Sequence, residues 1–467
     1  MLEKTPEQAA VEQMQMLIDG AWTGSASGET LPVHNPANRS LIAAIPRGNA
    51  ADVDRAAQAA SRAFPAWSKV VPRERGRMLL RIADALEARS EELARIVARE
   101  TGNALRTQAR PEAKNTADIF RYFGGLGGEL KGETLPLGEH VLSYTRREPL
   151  GVVGAIIPWN APVLLGALKI AAALCAGNTM VLKAAEDAPL GVLMMARVCQ
   201  EHLPPGVLNV LTGLGEECGG PLAQHRAIRK LSFTGSTEVG KIIMHAAADR
   251  IVPVSLELGG KSPSIVYADA NEDWVVDGIV AAMRFTRQSQ SCTAGSRLFL
   301  HADIFDSFLG KLTTKVQALK LGDPLDEASD IGTIINEKQF RKLRAGRSRS
   351  QGCPPGVRRP AADRGAAERG LLRRADRVRR HVERVAAGAR GDFRPGAGGD
   401  PLARRGGCHP HGERQPLRPR RLCLDARHRQ RPARGARHRE RLGAGQPGRW
   451  PGSRPLLRRL QAERHRA

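Results

Sequence analysis

Apolar residues recur at helical spacing among Arg, Glu and Ala from Ala51 to about Arg121, which predicts several amphipathic helices. Ahead of them, DGAWTGSASGETLPVHNPANRSLIAAIP alternates apolar positions with turn residues, as short strands and hairpins do. Residues Glu129 to Arg147 read as an extended, strand-rich excursion. From Gly151 the rhythm changes. GVVGAIIP, NTMVLKA and GVLNVLTG are short apolar runs of strand type, with helical segments Val163–Ala176 and Leu190–His202 between them. That alternation predicts an α/β fold, with a Rossmann-type parallel sheet covered on both faces. IRKLSFTGS adds a strand that runs into a Gly-containing turn, SLELGGKSPSIVYADA opens a new block, and Asn271–Arg287 reads as helical. The most apolar stretch, Ala161 to Leu182, is interrupted by Lys169 and by Gly177-Asn178, so it predicts a core helix and strand rather than a membrane span. No internal repeat is visible.

Charge divides the chain sharply. Met1–Leu343 holds 38 Lys and Arg against 38 Asp and Glu, whereas Arg344–Ala467 holds 34 Arg, no Lys and 10 Asp and Glu. The whole formal charge of +24 therefore lies after Leu343. The same tail lacks Ile, Asn, Thr, Met and Tyr, whose codons are rich in A and T. Joint loss of those residues is the mark of a GC-rich gene translated out of frame, not of a selected basic surface. The tail has no aromatic interleaving and no nucleic-acid motif, so its arginines predict only unspecific attraction to polyanions. Cys175, Cys199, Cys218 and Cys292 show no paired spacing, and the start MLEKTPEQAAVEQMQM has no apolar core of a signal peptide. A reduced, cytoplasmic protein is the expectation.

Chemistry concentrates in a few short strings. FTRQSQSCTAGSR (285–297) sets Cys292 among small and polar residues, after a helix and before strand-like LFLH. Most lone cysteines are inert core residues, but this one has company. VSLELGGKSP precedes it, with Glu257 and Gly259. Earlier come PWN (Pro158, Trp159, Asn160), VLKAAEDAPL (Lys183, Glu186) and FTGSTEVG (Gly235, Ser236, Gly240). Singly these strings are weak: Ser236 would serve as an ordinary helix cap, and Lys183 with Glu186 as a solvated pair. Together, in order and at their spacing, they resemble the NAD(P)-dependent aldehyde dehydrogenase superfamily, whose cysteine segment usually reads NQGQxCxAGSR. The resemblance covers about Leu17 to Leu343.

The resemblance implies a mechanism. Cys292 would attack an aldehyde to give a thiohemiacetal, with the oxyanion held by the Asn160 amide and the Cys292 backbone N–H. After hydride transfer, Glu257 would activate water to cleave the thioester, a role suited to a partly buried carboxylate of raised pKa. Trp159, Lys183, Glu186, Gly235, Ser236 and Gly259 would serve the cofactor, with Gly235 and Ser236 at a helix N-terminus that favours pyrophosphate. A carboxylate at Glu186 favours NAD, with NADP the alternative. No metal is implied. Ser289 stands where the pattern has Gly; if that position needs φ > 0, Ser costs about 1 kcal/mol or more.

By the same resemblance, residues 1–128 and 149–257 form the NAD-binding domain and 129–148 a hairpin of the oligomerisation type. Residues 258–343 are part of a catalytic domain, and 344–467 an out-of-frame tail. Read from the second base of degenerate codons, GDFRPGAGGDP (391–401) permits EIFGPVLAVIP, a family-like segment. Gly370–Val378, His438–Pro451 and Arg458–Arg466 permit further family-like strings in the same shifted frame and in family order. The expectation is a one-base shift between about Leu343 and Gly370, a disordered tail, loss of a cofactor-clamping glutamate and of the C-terminal assembly strand, and weak or no turnover. A non-catalytic NAD-binding protein is the alternative, and nucleic-acid binding through the tail a distant third.

Overall fold

The computed structural model describes residues 11–349, with side chains through Leu343. The frame-shift, disorder and lost-segment expectations for 350–467 lie outside the described residues. The structure begins with short strands, β1 (Glu12–Gln13), β2 (Met16–Ile18), β3 (Ala21–Thr23), β4 (Thr30–His34) and β5 (Leu41–Pro46). Four helices follow, α1 (Ala50–Trp67), α2 (Pro72–Ala88), α3 (Ser90–Thr101) and α4 (Arg110–Gly125). Reciprocal capping starts α1: Asn49 accepts from the Ala51 N–H, and Asp52 accepts from the Asn49 N–H. The excursion after α4 is a hairpin of β6 (Thr134–Pro136) and β7 (Leu142–Tyr144), with Leu142 and Tyr144 exposed.

The centre of the molecule is built by β8 (Val152–Ile156), α5 (Pro162–Cys175), β9 (Thr179–Lys183), α6 (Leu190–Gln200) and β10 (Leu208–Leu211). Then come α7 (Gly220–Gln224), β11 (Ile228–Gly235), α8 (Thr237–Ala248) and β12 (Val254–Leu258). Seven strands form one sheet in the order β12-β11-β8-β9-β10-β2-β3. Five are parallel, and β2 closes against β10 antiparallel, Val210 facing Leu17. Alternate residues supply two cores: Val153, Ala155, Met180, Leu182 and Val210 enter one with the helices α2 to α6, while Val152, Val181 and Leu211 enter the other with α1, α7 and α8. Burial on both faces is why these strands read as continuous apolar runs. At the edge, β12 alternates half-buried and exposed residues instead.

Connectivity reverses at β8. From there the chain steps to β9 and β10 on one side, then returns to β11 and β12 on the other. A crevice opens at such a switch point, at the carboxyl ends of β8 and β11.

Beyond β12 a second block has its own core of Val266, Val276, Ile279, Phe308, Leu312 and Val316. It contains β13 (Pro263–Val266), α9 (Asp273–Ala282), β14 (Arg297–Leu300), α10 (Phe305–Gln317) and α11 (Glu337–Arg349), with β13 and β14 paired in parallel. One detail differs from the sequence reading. The helix expected over 271–287 stops at Ala282, because Arg284 takes a left-handed φ of +55° and turns the chain into the loop before Cys292. The last helix, α11, runs past the charge break at Leu343 to Arg349.

Candidate active site

Trp159 and Asn160 sit half-buried in the turn between β8 and α5, one rim of the switch-point crevice. Gly235 ends β11, and Ser236 caps α8 by accepting from the Val239 N–H at 3.3 Å. The cap anticipated for Ser236 is present, and it leaves the N-terminus of α8 at the crevice. Close packing of this turn is enforced at Gly240, where a Cβ would come within 2.6 Å of Leu258.

Lys183 ends β9 and is only 3% exposed, so Lys183 and Glu186 are not a solvated pair. The Lys183 ammonium lies 2.8 Å from Glu186 Oε2. Burial pushes the Glu186 carboxyl up, but the charge and hydrogen bond of Lys183 outweigh it and leave the carboxyl below its ordinary value. Asp187, raised by burial and by the Glu186 charge, accepts from Asn336 at 2.8 Å and ties this turn to the start of α11.

Glu257 lies on β12 opposite Thr234 and is exposed, not partly buried as its expected role suggested. β12 is the edge of the sheet, and no strand covers its outer side among the described residues. Gly259 is also exposed, and a Cβ there would meet nothing within 4 Å, so packing within the chain does not require glycine. The next residue marks the approach to Cys292: a Cβ at Gly260 would lie 3.9 Å from the Cys292 carbonyl oxygen. Gly260, Trp159 and Ser291 line one cavity of about 440 Å³.

Cys292 is exposed, whereas Cys175, Cys199 and Cys218 are buried and unpaired. Burial pushes all three of those thiols up, Cys218 to about 12, which leaves them poor nucleophiles. Asn160 reaches the loop that carries Cys292, its Nδ2 donating to the Gln290 carbonyl at 2.8 Å. An amide nitrogen has two hydrogens, so one is left for a substrate oxygen. Ser289 has φ +55° and Gln288 φ +50°, so the loop does place a side chain where glycine is favoured.

Sequence reasoning missed several buried charges around this centre. Lys169 was legible only as an interruption of an apolar run. Its ammonium donates to Ser232 Oγ at 2.8 Å, and burial lowers it to about 8 against the opposing pull of Glu257. Glu112 on α4 and Arg287 in the loop before Cys292 form a buried pair. Arg287 replaces the Asn of the quoted pattern, which was its one visible signal.

Strand order, switch point and exposed cysteine loop define a class: an α/β protein of the dinucleotide-binding type with an exposed cysteine loop beside the crevice. Comparison narrows it. The profile of the Aldehyde dehydrogenase family matches residues 22–351. The chain belongs to the aldehyde dehydrogenase family. It is 43% identical over 339 residues to Aldehyde dehydrogenase family 2 member B4, mitochondrial, of Arabidopsis thaliana, covering 71% of this chain and 62% of the relative. It is 39% identical over 338 residues to human Retinal dehydrogenase 2, covering 71% and 65%. The chain thus spans less than two thirds of the length of these relatives. The NAD+ complex structure of an aldehyde dehydrogenase from Bacillus cereus superposes with a TM-score of 0.71 at 34% identity, covering 75% of this chain and 72% of that one.

Proposed function

We propose that the chain oxidises an aldehyde to a carboxylic acid with NAD, using Cys292 as the nucleophile. The observation that carries this reading is the contrast among the cysteines. Of the four among the described residues, three are buried with thiols pushed up, and Cys292 is exposed on a loop bonded to Asn160. Attack by the Cys292 sulfur on the carbonyl carbon gives a thiohemiacetal. The free hydrogen of Asn160 Nδ2 and the Cys292 N–H would hold its oxyanion. A bound nicotinamide would supply the hydride acceptor. Glu257, from the neighbouring strand end, would then take a proton from the water that cleaves the thioester.

The donor set suits a dinucleotide. The capped N-terminus of α8 offers amides to a diphosphate, and the Lys183–Glu186 pair offers a cation and a carboxylate to ribose hydroxyls. Glu186 opposes a 2′-phosphate, so NAD is favoured over NADP. The B. cereus complex holds NAD+ in the same fold. The exposed hairpin of β6 and β7 is assigned to self-association, and the four unpaired cysteines among the described residues suit a reducing compartment such as the cytoplasm. No helix among the described residues is long and apolar enough to cross a membrane.

The exposure of Glu257 favours a second reading, a protein that binds NAD and acylates Cys292 but turns over slowly. One experiment separates the two. The full chain is mixed with NAD and a simple aldehyde while NADH and covalent acyl-cysteine are followed. Steady NADH formation supports the enzyme, and a single burst supports the slow form. The absence of both, with Cys292→Ser indistinguishable from the unsubstituted chain, would falsify the nucleophile assignment.

A further inference from the structure

The segment before Cys292 is tied to the body of the molecule by charge as well as by backbone. Arg287 Nη2 lies 3.4 Å from Glu112 Oε2, with side chains 13% and 0% exposed. With its amide turned to satisfy both partners, Gln108 accepts from Arg287 Nε at 3.1 Å. The other oxygen of the carboxylate, Glu112 Oε1, faces the first turn of α5, where the Leu164 N–H donates at 3.5 Å. That turn begins just after Asn160. Glu112 therefore touches both parts that must meet in the reaction, the loop of Cys292 and the helix start beside Asn160.

We propose that Glu112 and Arg287 are a positioning pair that fixes the nucleophile loop against the first turn of α5 and so sets the spacing between Cys292 and the Asn160 amide. This rests on the reading of Cys292 as nucleophile and of Asn160 as oxyanion donor. Neither member of the pair touches substrate. Desolvation is the physical reason: two charges this buried keep their place only while each has the other, so the loop and the helix start are held in a single arrangement. Asn160 and Gln290 form a second, uncharged tie between the same two segments. Two ties at different residues of the loop, Arg287 and Gln290, restrain its rotation as well as its distance.

The test uses the full chain with Arg287→Gln, Glu112→Gln and the double variant, and two independent readouts. Hydrogen exchange reads the tie without any chemistry. Arg287→Gln is expected to speed exchange about tenfold or more in both residues 284–292 and residues 161–165, with β9 unchanged. In the double variant the second substitution should add little, since the tie is already gone. Unchanged exchange, or purely additive effects, would overturn the proposal.

The second readout separates position from charge. Acylation by 4-nitrophenyl acetate needs the thiol and the oxyanion donors, whereas alkylation by iodoacetamide needs the thiol alone. Arg287→Gln should slow acylation about 10–100-fold with alkylation nearly unchanged. Equal loss of both would mean that Arg287 acts on the thiol by its charge, against the proposal. Arg287→Lys keeps that charge without the planar fork, and is expected to behave as Arg287→Gln does. If the unsubstituted chain shows no acylation, the nucleophile reading fails, and the exchange arm still decides the pair.

Discussion

Ile251 holds φ +52° in the turn between α8 and β12, with 93% of its surface exposed. Its N–H reaches back to the Ala248 carbonyl, and the Val252 N–H to that of Ala247, so it stands where a helix usually ends in glycine. A β-branched side chain is strained there and buries nothing in return. Ile251→Gly should therefore raise unfolding stability by about 1 kcal/mol, read as a higher urea midpoint at constant slope. Ser289, at φ +55°, is different because its hydroxyl donates to the Met283 carbonyl at 3.1 Å. Glycine there would relieve about 1 kcal/mol of strain but lose a hydrogen bond of about the same worth. Ser289→Gly is expected to leave the urea midpoint nearly unchanged, and a large shift either way would show that one of the two effects is misjudged. Ser289 was legible from its neighbours in sequence. Glu112 and Arg287 were not, because the pairing of residues 175 apart exists only once the sheet is assembled.

Helices α5 and α6 have no side-chain cap of their own. Each instead receives a buried carboxylate from another helix, Glu112 of α4 for α5 and Glu100 of α3 for α6, where the N–H groups of Leu190 and Gly191 donate at 2.6 and 3.0 Å. Burial raises Glu100 to about 8 against those two bonds, and the Glu112 charge adds to the rise. Burial also lifts Glu112, to about 7, opposed by Arg287. A carboxyl raised in the folded state binds more protons there than in the unfolded chain, so its stabilising effect is lost as pH climbs through the folded value. Glu100→Gln imitates the neutral form. Its stability relative to the unsubstituted chain should rise between pH 6 and 9, measured by urea unfolding at each pH. A constant difference would contradict a titrating Glu100. Elements of this kind were readable from periodicity, and most strand and helix positions agree to within a few residues. The exception, α9, ends early because Arg284 turns left-handed, which no propensity signals.

At the scale of the molecule, the cofactor reading makes its own demand. A ligand that binds only the folded state stabilises by RT ln(1 + [L]/Kd), about 2.7 kcal/mol at a hundredfold excess over Kd. NAD should raise the melting temperature of the full chain, and Lys183→Met should remove most of that rise. Glu186→Gln should narrow the preference for NAD over NADP by about tenfold, since a neutral amide no longer repels a 2′-phosphate. Equal preference before and after would remove Glu186 from cofactor choice. The alternation of strands and helices made the parallel sheet legible, but not its far edge. Strands β2 and β3 are too short to announce a partner, and that partner lies far along the chain. During synthesis the consequence is one of timing. Leu17 cannot pair until Val210 has left the ribosome, so this edge of β2 stays unpaired while everything between them is made. The first strands of this chain join the central sheet only once β10 has been made, while β11 and β12 are still to complete its other edge.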